Sequence, residues 1–111
     1  MEPIMNHEAI ILDILKACED WFPASEGLEN HTIVDREQGH YLFMPVGWFR
    51  GRYFYGALMH FHLRDGKIWV LANNTEIELE KELFARGATR SDIVAGFQSP
   101  EFREMAGWAG K

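Results

Sequence analysis

The first part of the chain carries apolar residues at the three- and four-residue spacing of an amphipathic helix. They are Ile4, Ile11, Leu15, Cys18 and Phe22, and the stripe is widened by Ile10, Ile14, Ala17 and Trp21. This spacing predicts a helix over residues 1–22. It should end before Pro23, because proline disrupts a helix interior. The polar residues that follow, together with Gly27, predict a linker.

From residue 31 onwards the apolar period changes to two, which is typical of β-strands. We predict strands over residues 31–37, 41–49, 53–63 and 67–73. The sequence Arg50-Gly51-Arg52 supplies one turn, and Asp65-Gly66 between two apolar runs is a strong hairpin signal. Because Pro45 cannot donate a ladder hydrogen bond, we expect an edge or a bulge at that position.

The rest of the chain returns to helical patterns. Thr75 and Glu78 have the spacing of a capping box, which predicts a helix beginning at Thr75 and ending at Gly87. The next apolar stretch, residues 91–97, predicts a short helical turn. Ser99 followed by Pro100 is typical of a helix start, and we expect the last helix to include Phe102, Met105 and Trp108.

Taken together, these elements predict one α+β domain over residues 1–111. It has an N-terminal helix, a four-stranded antiparallel meander sheet and two to three C-terminal helices. Packing the helices mainly on one side of the sheet would leave part of the other side uncovered.

Composition and charge argue against some classes of function. The chain has 111 residues, a net charge of −6 and one cysteine, Cys18, which lies in the apolar helical stripe and is expected to be buried. The acidic charge argues against a nucleic-acid reader, since such domains neutralise phosphates with a basic face. No long apolar run or signal peptide is present, so we expect a cytoplasmic protein with no membrane contact.

Three histidines are the candidate residues for a metal or small-molecule site. His60 and His62 point to the same side of a strand, and they could bind zinc or a small molecule if His40 joined them as a third ligand. The alternative, which we favour, is that these are partly exposed, hydrogen-bonded side chains. We therefore predict no metal and no cofactor. The nucleophile elbow and the glycine-rich phosphate loop are also missing from the sequence.

Large side chains occur on both faces of the predicted strands, with Tyr53, Tyr55, Met59 and Phe61 on one of them. This excess predicts a surface completed by another chain, either a second copy or a different protein. The alternative is that these large side chains only fill the core of this chain. The glutamates Glu76, Glu78, Glu80 and Glu82 form either a solvated face or an acidic strip for a basic partner.

Several motifs together resemble the XisI family of excision controlling factors. They are HYLFMPVGW at 40–48, YGALMHFHLRDGKIWV at 55–70, NNTEIELEKELFARGATRSDIVAGF at 73–97 and SPEFR at 99–103. The resemblance covers about residues 30–105. Where the family often has glutamine and aspartate before Thr75, this chain has asparagines, and Gln98-Ser99-Pro100 replaces the family's His-Pro-Pro.

The resemblance implies a small α+β protein without established enzymatic activity that is required for programmed DNA excision. Such proteins are encoded beside XisH, which is similar to nuclease-fold proteins, so the implied partner is an XisH-like protein. The predicted contact residues are Tyr53, Tyr55, Trp69, Glu76, Glu78, Glu82 and Arg103. Arg103 is further expected to orient the C-terminal segment. A remaining alternative is direct DNA binding through Arg36, Arg50, Arg52, Arg64 and Lys67.

Overall fold

A computed structural model describes residues 6–105, with side chains as far as Arg103. Within these residues the chain forms three α-helices, six strands and one 3₁₀ turn. In chain order they are α1 (His7–Trp21), β1 (Leu28–Asp35), β2 (His40–Phe49), β3 (Arg52–Tyr55), β4 (Met59–Arg64), β5 (Lys67–Asn73), α2 (Leu79–Ala85), the 3₁₀ turn (Arg90–Asp92), β6 (Ile93–Ala95) and α3 (Pro100–Met105). Across this part of the chain, no helix is both long and apolar enough to span a membrane.

All the strands belong to one mixed sheet. β1, β2, β4 and β5 are adjacent in that order and antiparallel, and β6 pairs with β5 in parallel. β3 pairs with the same edge of β2 as β4 does, but nearer the C-terminal end of β2. The α+β class is confirmed. The predicted four-stranded antiparallel meander is wrong in two places.

The first error is the single strand predicted over residues 53–63, which the structure divides into β3 and β4. Pairing of β4 with β2 ends at Phe43, and pairing of β3 begins at Val46. The Phe43 carbonyl accepts a 2.8 Å hydrogen bond from Leu58 N–H. In an antiparallel pair, every second residue directs its backbone groups to the same neighbouring strand. Pro45, two residues after Phe43, is the next such residue, and it has no N–H to donate. The interruption expected at Pro45 therefore exists, and it divides the neighbouring strand.

The second error concerns Ile93–Ala95, which was predicted within a helical turn and instead forms β6. All three residues are buried, with Ile93 paired to Ile68 of β5. A parallel strand covered on both faces has no polar–apolar alternation, and three residues are too few to establish a period. Only the preceding Arg90–Asp92 is helical, as a 3₁₀ turn.

The core lies between α1 and one face of the sheet. The buried residues of α1 are Ile10, Ile11, Ile14, Leu15 and Cys18. They belong to one cluster with Phe43, Met59 and Phe61, all of them fully buried. The predicted helical stripe is confirmed from Ile10 to Cys18, and α1 ends at Trp21, one residue before the expected end. The predicted helix does not run continuously from residue 1, because Asn6 is extended and caps α1 by accepting a hydrogen bond from Ala9 N–H. The predicted helical residues 1–5 lie outside the described part of the chain.

The predicted start of α2 is wrong, whereas its end is confirmed. The helix begins at Leu79, and its N-cap Glu78 makes no side-chain cap hydrogen bond. The Thr75 hydroxyl instead donates to Asn73 Oδ1 at 2.6 Å and accepts from Ile77 N–H at 3.1 Å. This local turn replaces the expected capping box, because threonine hydroxyls also stabilise non-helical turns.

The end of α2 has the geometry expected for a glycine that follows a helix. Gly87 has φ of 105°. Its N–H donates to the Phe84 carbonyl, and Ala88 N–H donates to the Leu83 carbonyl. These two bonds form a Schellman motif, in which a left-handed residue satisfies the last carbonyls.

α3 begins where the sequence predicts. Ser99 Oγ accepts from Phe102 N–H at 3.2 Å, and Pro100 is the first helical residue. The expected continuation to Trp108 lies outside the described residues.

Candidate partner-binding surface

The hairpin formed by β2 and β3 ends in a two-residue turn. Arg50 and Gly51 have φ of 52° and 77°, and turns with two positive φ angles match the twist of a β-hairpin. Gly51 adopts this conformation readily, whereas Arg50 does so at some cost. Five of the residues between 48 and 55 are aromatic, and we call residues 48–55 the aromatic hairpin.

Most rings of the aromatic hairpin are exposed. The exposed fractions are 60% for Trp48, 51% for Tyr53 and 72% for Tyr55. Trp48 is paired with Tyr53 across the strands, and their ring centroids lie 5.3 Å apart. The structure thus places Tyr53 and Tyr55, two of the predicted contact residues, side by side on an open surface.

The tyrosines lie on the sheet face opposite α1. Residues Tyr41 and Phe43 of β2 are buried on the α1 face, so Val46 and Trp48, with the alternate parity, point the other way. Their cross-strand partners Tyr55 and Tyr53 follow them. The sequence had placed both tyrosines on the face of Met59 and Phe61, which is wrong. That assignment assumed one continuous strand with side chains alternating between the two faces. Because the chain is interrupted between β3 and β4, the alternation in β4 does not continue into β3.

Two arginines add positive charge to the aromatic hairpin. The Arg50 guanidinium lies 5.1 Å from the Phe49 ring centroid, and the Arg52 guanidinium lies 5.4 Å from that of Phe54. Such contacts hold the arginine stems over apolar rings while the charge stays in water. The hairpin therefore presents aromatic area and cationic groups on one element.

Trp69 and Arg103, also predicted as contacts, form a separate cluster. Trp69 is half-buried, with Arg64 at 5.3 Å and Arg103 at 5.4 Å from its ring. Arg103 is 8% exposed and donates from Nη1 to the Gln98 carbonyl at 3.0 Å. These side chains connect α3 to the sheet and present less surface than the tyrosines do.

The predicted acidic strip is not one helical face. Glu76 lies before α2, and Glu78 is its N-cap residue. The Glu78 carboxylate pairs with Lys81 at 2.9 Å, and both side chains are exposed. Glu82 accepts from Arg86 Nη1 at 2.8 Å in a partly buried pair. Of the three predicted contacts, Glu76 and Glu78 are therefore better exposed than Glu82.

An apolar groove of about 250 Å³ lies beside α2. Its apolar lining includes Val70, Ile77, Leu79, Leu83, Ile93 and Phe97. Glu78, Glu80 and Lys81 also line it, and all three are exposed. We call this the α2 groove. Sequence reasoning did not find it, because one wall is the unpredicted strand β6. The signal available in the sequence was Phe97 shortly after the apolar run at residues 93–95, and in the structure its ring is 61% exposed.

The structure brings His40, His60 and His62 together on the sheet face opposite α1. His40 is paired with His62 across β2 and β4, and their rings stack with centroids 4.2 Å apart. His40 Nδ1 lies 3.0 Å from His60 Nε2, and His62 Nδ1 lies 3.0 Å from the Gly39 carbonyl. Burial, aided by the two neighbouring imidazoles, lowers the pKa of His60 below its ordinary value.

These contacts leave the histidines engaged with one another and with backbone. Across residues 6–105, no three side chains of His, Cys, Asp or Glu are grouped in a way that could hold a metal ion. A neutral imidazole has one donor and one acceptor nitrogen. The His40–His60 contact therefore uses one nitrogen of each ring.

The residues of the DNA-binding alternative do not form one patch. Arg50 and Arg52 are at one end of β2. Near the other end are Arg36, in the turn before β2, and Arg64 and Lys67, at the end of β4 and the start of β5. Several also have internal roles. Arg36 pairs with Glu8 at 2.8 Å, and Lys67 donates to the Ser91 carbonyl at 3.2 Å. A ten-residue strand spans roughly 30 Å, which separates the two basic groups.

The fold and surface thus define a small α+β protein with a mixed sheet, a core between α1 and one sheet face, and an exposed aromatic hairpin. The same fold occurs in a crystal structure of an XisI-like protein from Anabaena variabilis, which is 31% identical. The similarity covers 92% of this chain and 94% of that one, with a TM-score of 0.85. A second Anabaena variabilis structure is described as the fdxN element excision controlling factor XisI. It is 24% identical over 92% and 93% of the two chains, with a TM-score of 0.74.

The family model described as XisI protein matches residues 1–110. This chain belongs to the XisI family. A comparison with the curated proteins found no match.

Proposed function

We propose that this protein is a non-enzymatic accessory factor that controls excision of a DNA element by binding an XisH-like, nuclease-fold partner in the cytoplasm. Family membership supports the general role, since a protein with the same fold is described as an excision controlling factor. In this proposal the partner acts on DNA, and the present chain regulates it by contact.

The aromatic hairpin is the observation that carries the proposal. Trp48, Tyr53 and Tyr55 are each at least half exposed. Burying such large aromatic side chains is energetically favourable, so their exposure indicates a surface that another protein can cover. Tryptophan, tyrosine and arginine are also the residue types that contribute most binding energy at protein interfaces. A second protein that covers this hairpin would use all of them.

The test is co-expression with the XisH-like protein of the same genome, with an affinity tag on only one chain. We expect a complex of defined mass by size exclusion with light scattering. Tyr55→Ala and Trp48→Ala should each weaken it by at least about tenfold, since both remove central aromatic contacts.

Ile33→Ala is the matched control. Ile33 is 43% exposed but lies in β1, outside the hairpin and the other proposed contacts, so this variant should bind as the wild type does. Failure of the two chains to associate would remove the partner from the proposal. Equal losses in all three variants would remove the hairpin from the interface.

The acidic residues define a second part of the proposed contact. Glu76 and Glu78 are exposed, and Glu78→Lys should weaken the complex if the partner surface here is basic. Glu82→Lys is less informative, because it would also disrupt the Glu82–Arg86 pair. An unchanged affinity for Glu78→Lys would exclude the strip from the interface.

Trp69 and Arg103 complete the proposed surface. We place Trp69 at its margin, because the ring is half-buried. Arg103 is proposed to orient the C-terminal segment through Trp69 and the Gln98 carbonyl. Arg103→Lys should therefore reduce binding through the position of α3, while the hairpin contacts remain.

A further inference from the structure

Two surfaces of this chain are complementary in charge and in apolar character. The aromatic hairpin carries Arg50 and Arg52 beside exposed rings. The α2 groove has an apolar lining, and residues 76–82 next to it contain four glutamates and one lysine. Opposite charges around matching apolar areas are the arrangement found across specific protein interfaces.

The size of the α2 groove indicates what it can accept. Pockets that bind drug-sized ligands have volumes of roughly 300–1,000 Å³, whereas this groove has about 250 Å³. It is lined mostly by aliphatic side chains and Phe97. An aromatic side chain with a neighbouring cation suits it better than a polar cofactor, because the exposed glutamates Glu78 and Glu80 would stabilise the cation.

The hairpin of the same chain does not fill this groove. None of the described residues that line the groove belongs to the aromatic hairpin. The hairpin extends from one end of β2, while the groove is bounded by β5, β6 and α2 on the far side of the sheet order. The complementary surfaces can therefore meet only between two molecules.

We propose that the aromatic hairpin of one copy docks in the α2 groove of a second copy. Trp48 or Tyr53 supplies the ring that enters the groove, and Arg50 and Arg52 face the glutamates beside it. The positive φ of Arg50 fits this role. A glycine would adopt that φ with less strain, but it would remove a cation from the contact.

Two copies can make both contacts at once if they are related by a two-fold axis. Each then contributes one hairpin and occupies one groove, and the assembly closes as a dimer. The XisH-like partner proposed above uses the same hairpin. Binding of that partner therefore requires the contact between the copies to open, and the dimer is the form of the protein without its partner.

The test is a charge exchange between two variants of the full chain. The hairpin variant carries Arg50→Glu and Arg52→Glu, and the groove variant carries Glu78→Lys and Glu80→Lys. Each brings like charges together, so each alone should be monomeric by light scattering, with the dimer dissociation constant raised at least about tenfold. Mixed in equal amounts they should form a heterodimer, because both contacts then pair opposite charges.

A control variant has the same change in net charge as the groove variant, at positions away from both surfaces. Asp20 and Glu37 are exposed carboxylates in α1 and in the turn after β1, and Asp20→Lys with Glu37→Lys should leave the dimer intact. The wild-type dimer should also weaken when salt is raised from about 0.1 M to about 1 M, since the charges are screened.

Three results would overturn the proposal: a wild-type chain that is monomeric at high micromolar concentration, dimerisation of either charge variant alone, or a mixture that stays monomeric. Should a charge reversal prevent folding, Arg50→Gln with Arg52→Gln and Phe97→Ala provide milder tests that must still weaken the dimer. A monomeric chain that binds the XisH-like protein would refute this contact and leave the proposed function standing.

Discussion

His40 Nδ1 lies 3.0 Å from His60 Nε2, so one imidazole nitrogen donates a hydrogen bond to the other across β2 and β4. Both rings cannot be protonated on these atoms while the bond exists, since each nitrogen would then be a donor. His62 stacks on His40 with an interplanar angle of 13°. His60 therefore lies beside two other imidazole rings.

This relationship predicts that the protein loses stability as pH falls below the ordinary histidine range. The pKa of His60 is lowered from 6.5 in the folded protein, mainly by burial and then by His40 and His62. The unfolded chain thus binds more protons between pH 6.5 and the folded pKa. The free energy of unfolding must decrease as pH falls through that interval.

Urea denaturation between about pH 7.5 and pH 5.5 measures this slope. His60→Gln should flatten it, while His31→Gln, which changes an exposed histidine, should not. The pKa of Asp92 is lowered from 3.8 by hydrogen bonds from Thr89, so its contribution is lost only at more acidic pH. An identical slope in wild type and His60→Gln would contradict the prediction.

Arg86 connects two helices and is expected to stabilise their packing. Its Nε donates to Asp13 of α1 at 2.7 Å and its Nη1 to Glu82 of α2 at 2.8 Å. The side chain is only 16% exposed. Arg86→Met should lower the free energy of unfolding by about 1.5–3 kcal/mol, the range for hydrogen bonds to charged groups.

Lys81→Met is the matched control for Arg86→Met. The Lys81–Glu78 pair is 2.9 Å long, but both side chains are about 70% exposed, and such pairs contribute roughly 0–1 kcal/mol. Denaturation curves of the two variants should therefore separate clearly. Equal losses would mean that burial of Arg86 adds nothing to its ion pairs.

Gly47 is predicted to be the glycine least tolerant of substitution among those described. Its φ is 136°, and a Cβ atom there would lie 2.0 Å from the Gly27 carbonyl oxygen. Gly47→Ala should cost at least about 2 kcal/mol, because both steric overlap and backbone strain arise. Gly56→Ala is the comparison, since a Cβ at Gly56 has no neighbour within 4 Å. Thermal melting of both variants tests the difference.

Cys18 should be chemically inert until the protein unfolds. The thiol is fully buried in the core, and burial raises its pKa to about 11. Since the thiolate is the reactive form, iodoacetamide at about pH 8 should label the native protein very slowly. The rate should rise with urea in parallel with unfolding, and rapid labelling of the native chain would contradict the burial of α1 against the sheet.

Features set by neighbouring residues could be predicted from the sequence. The stripe of α1, the turn at Asp65-Gly66, the end of α2 at Gly87 and the start of α3 at Ser99-Pro100 were all expected. Each depends on helical or strand period, on positive φ, or on a cap within a few residues. One local prediction was still wrong. The Thr75 side chain forms a hydrogen bond with Asn73 in a turn, and the predicted capping box does not form.

The candidate surface needed distant residues to be placed together. The sequence identified Tyr53 and Tyr55 as contacts but assigned them to the wrong face, since Pro45 interrupts pairing on a different strand. It identified the three histidines but not their contact, which depends on the register of His40 with His62. The α2 groove depends on β6, which lies more than 20 residues after its partner β5 begins.

The sequence by itself determined the α+β class, the positions of α1 and of the turns, and the abundance of aromatic side chains. Local backbone energetics and hydrophobic period are sufficient for these. The tertiary structure decided the division of residues 53–63, the parallel pairing of β6, the histidine cluster and the α2 groove. Each of these depends on which strands become neighbours and in what register. That choice is made by burial of the whole core, and no short stretch of sequence carries it.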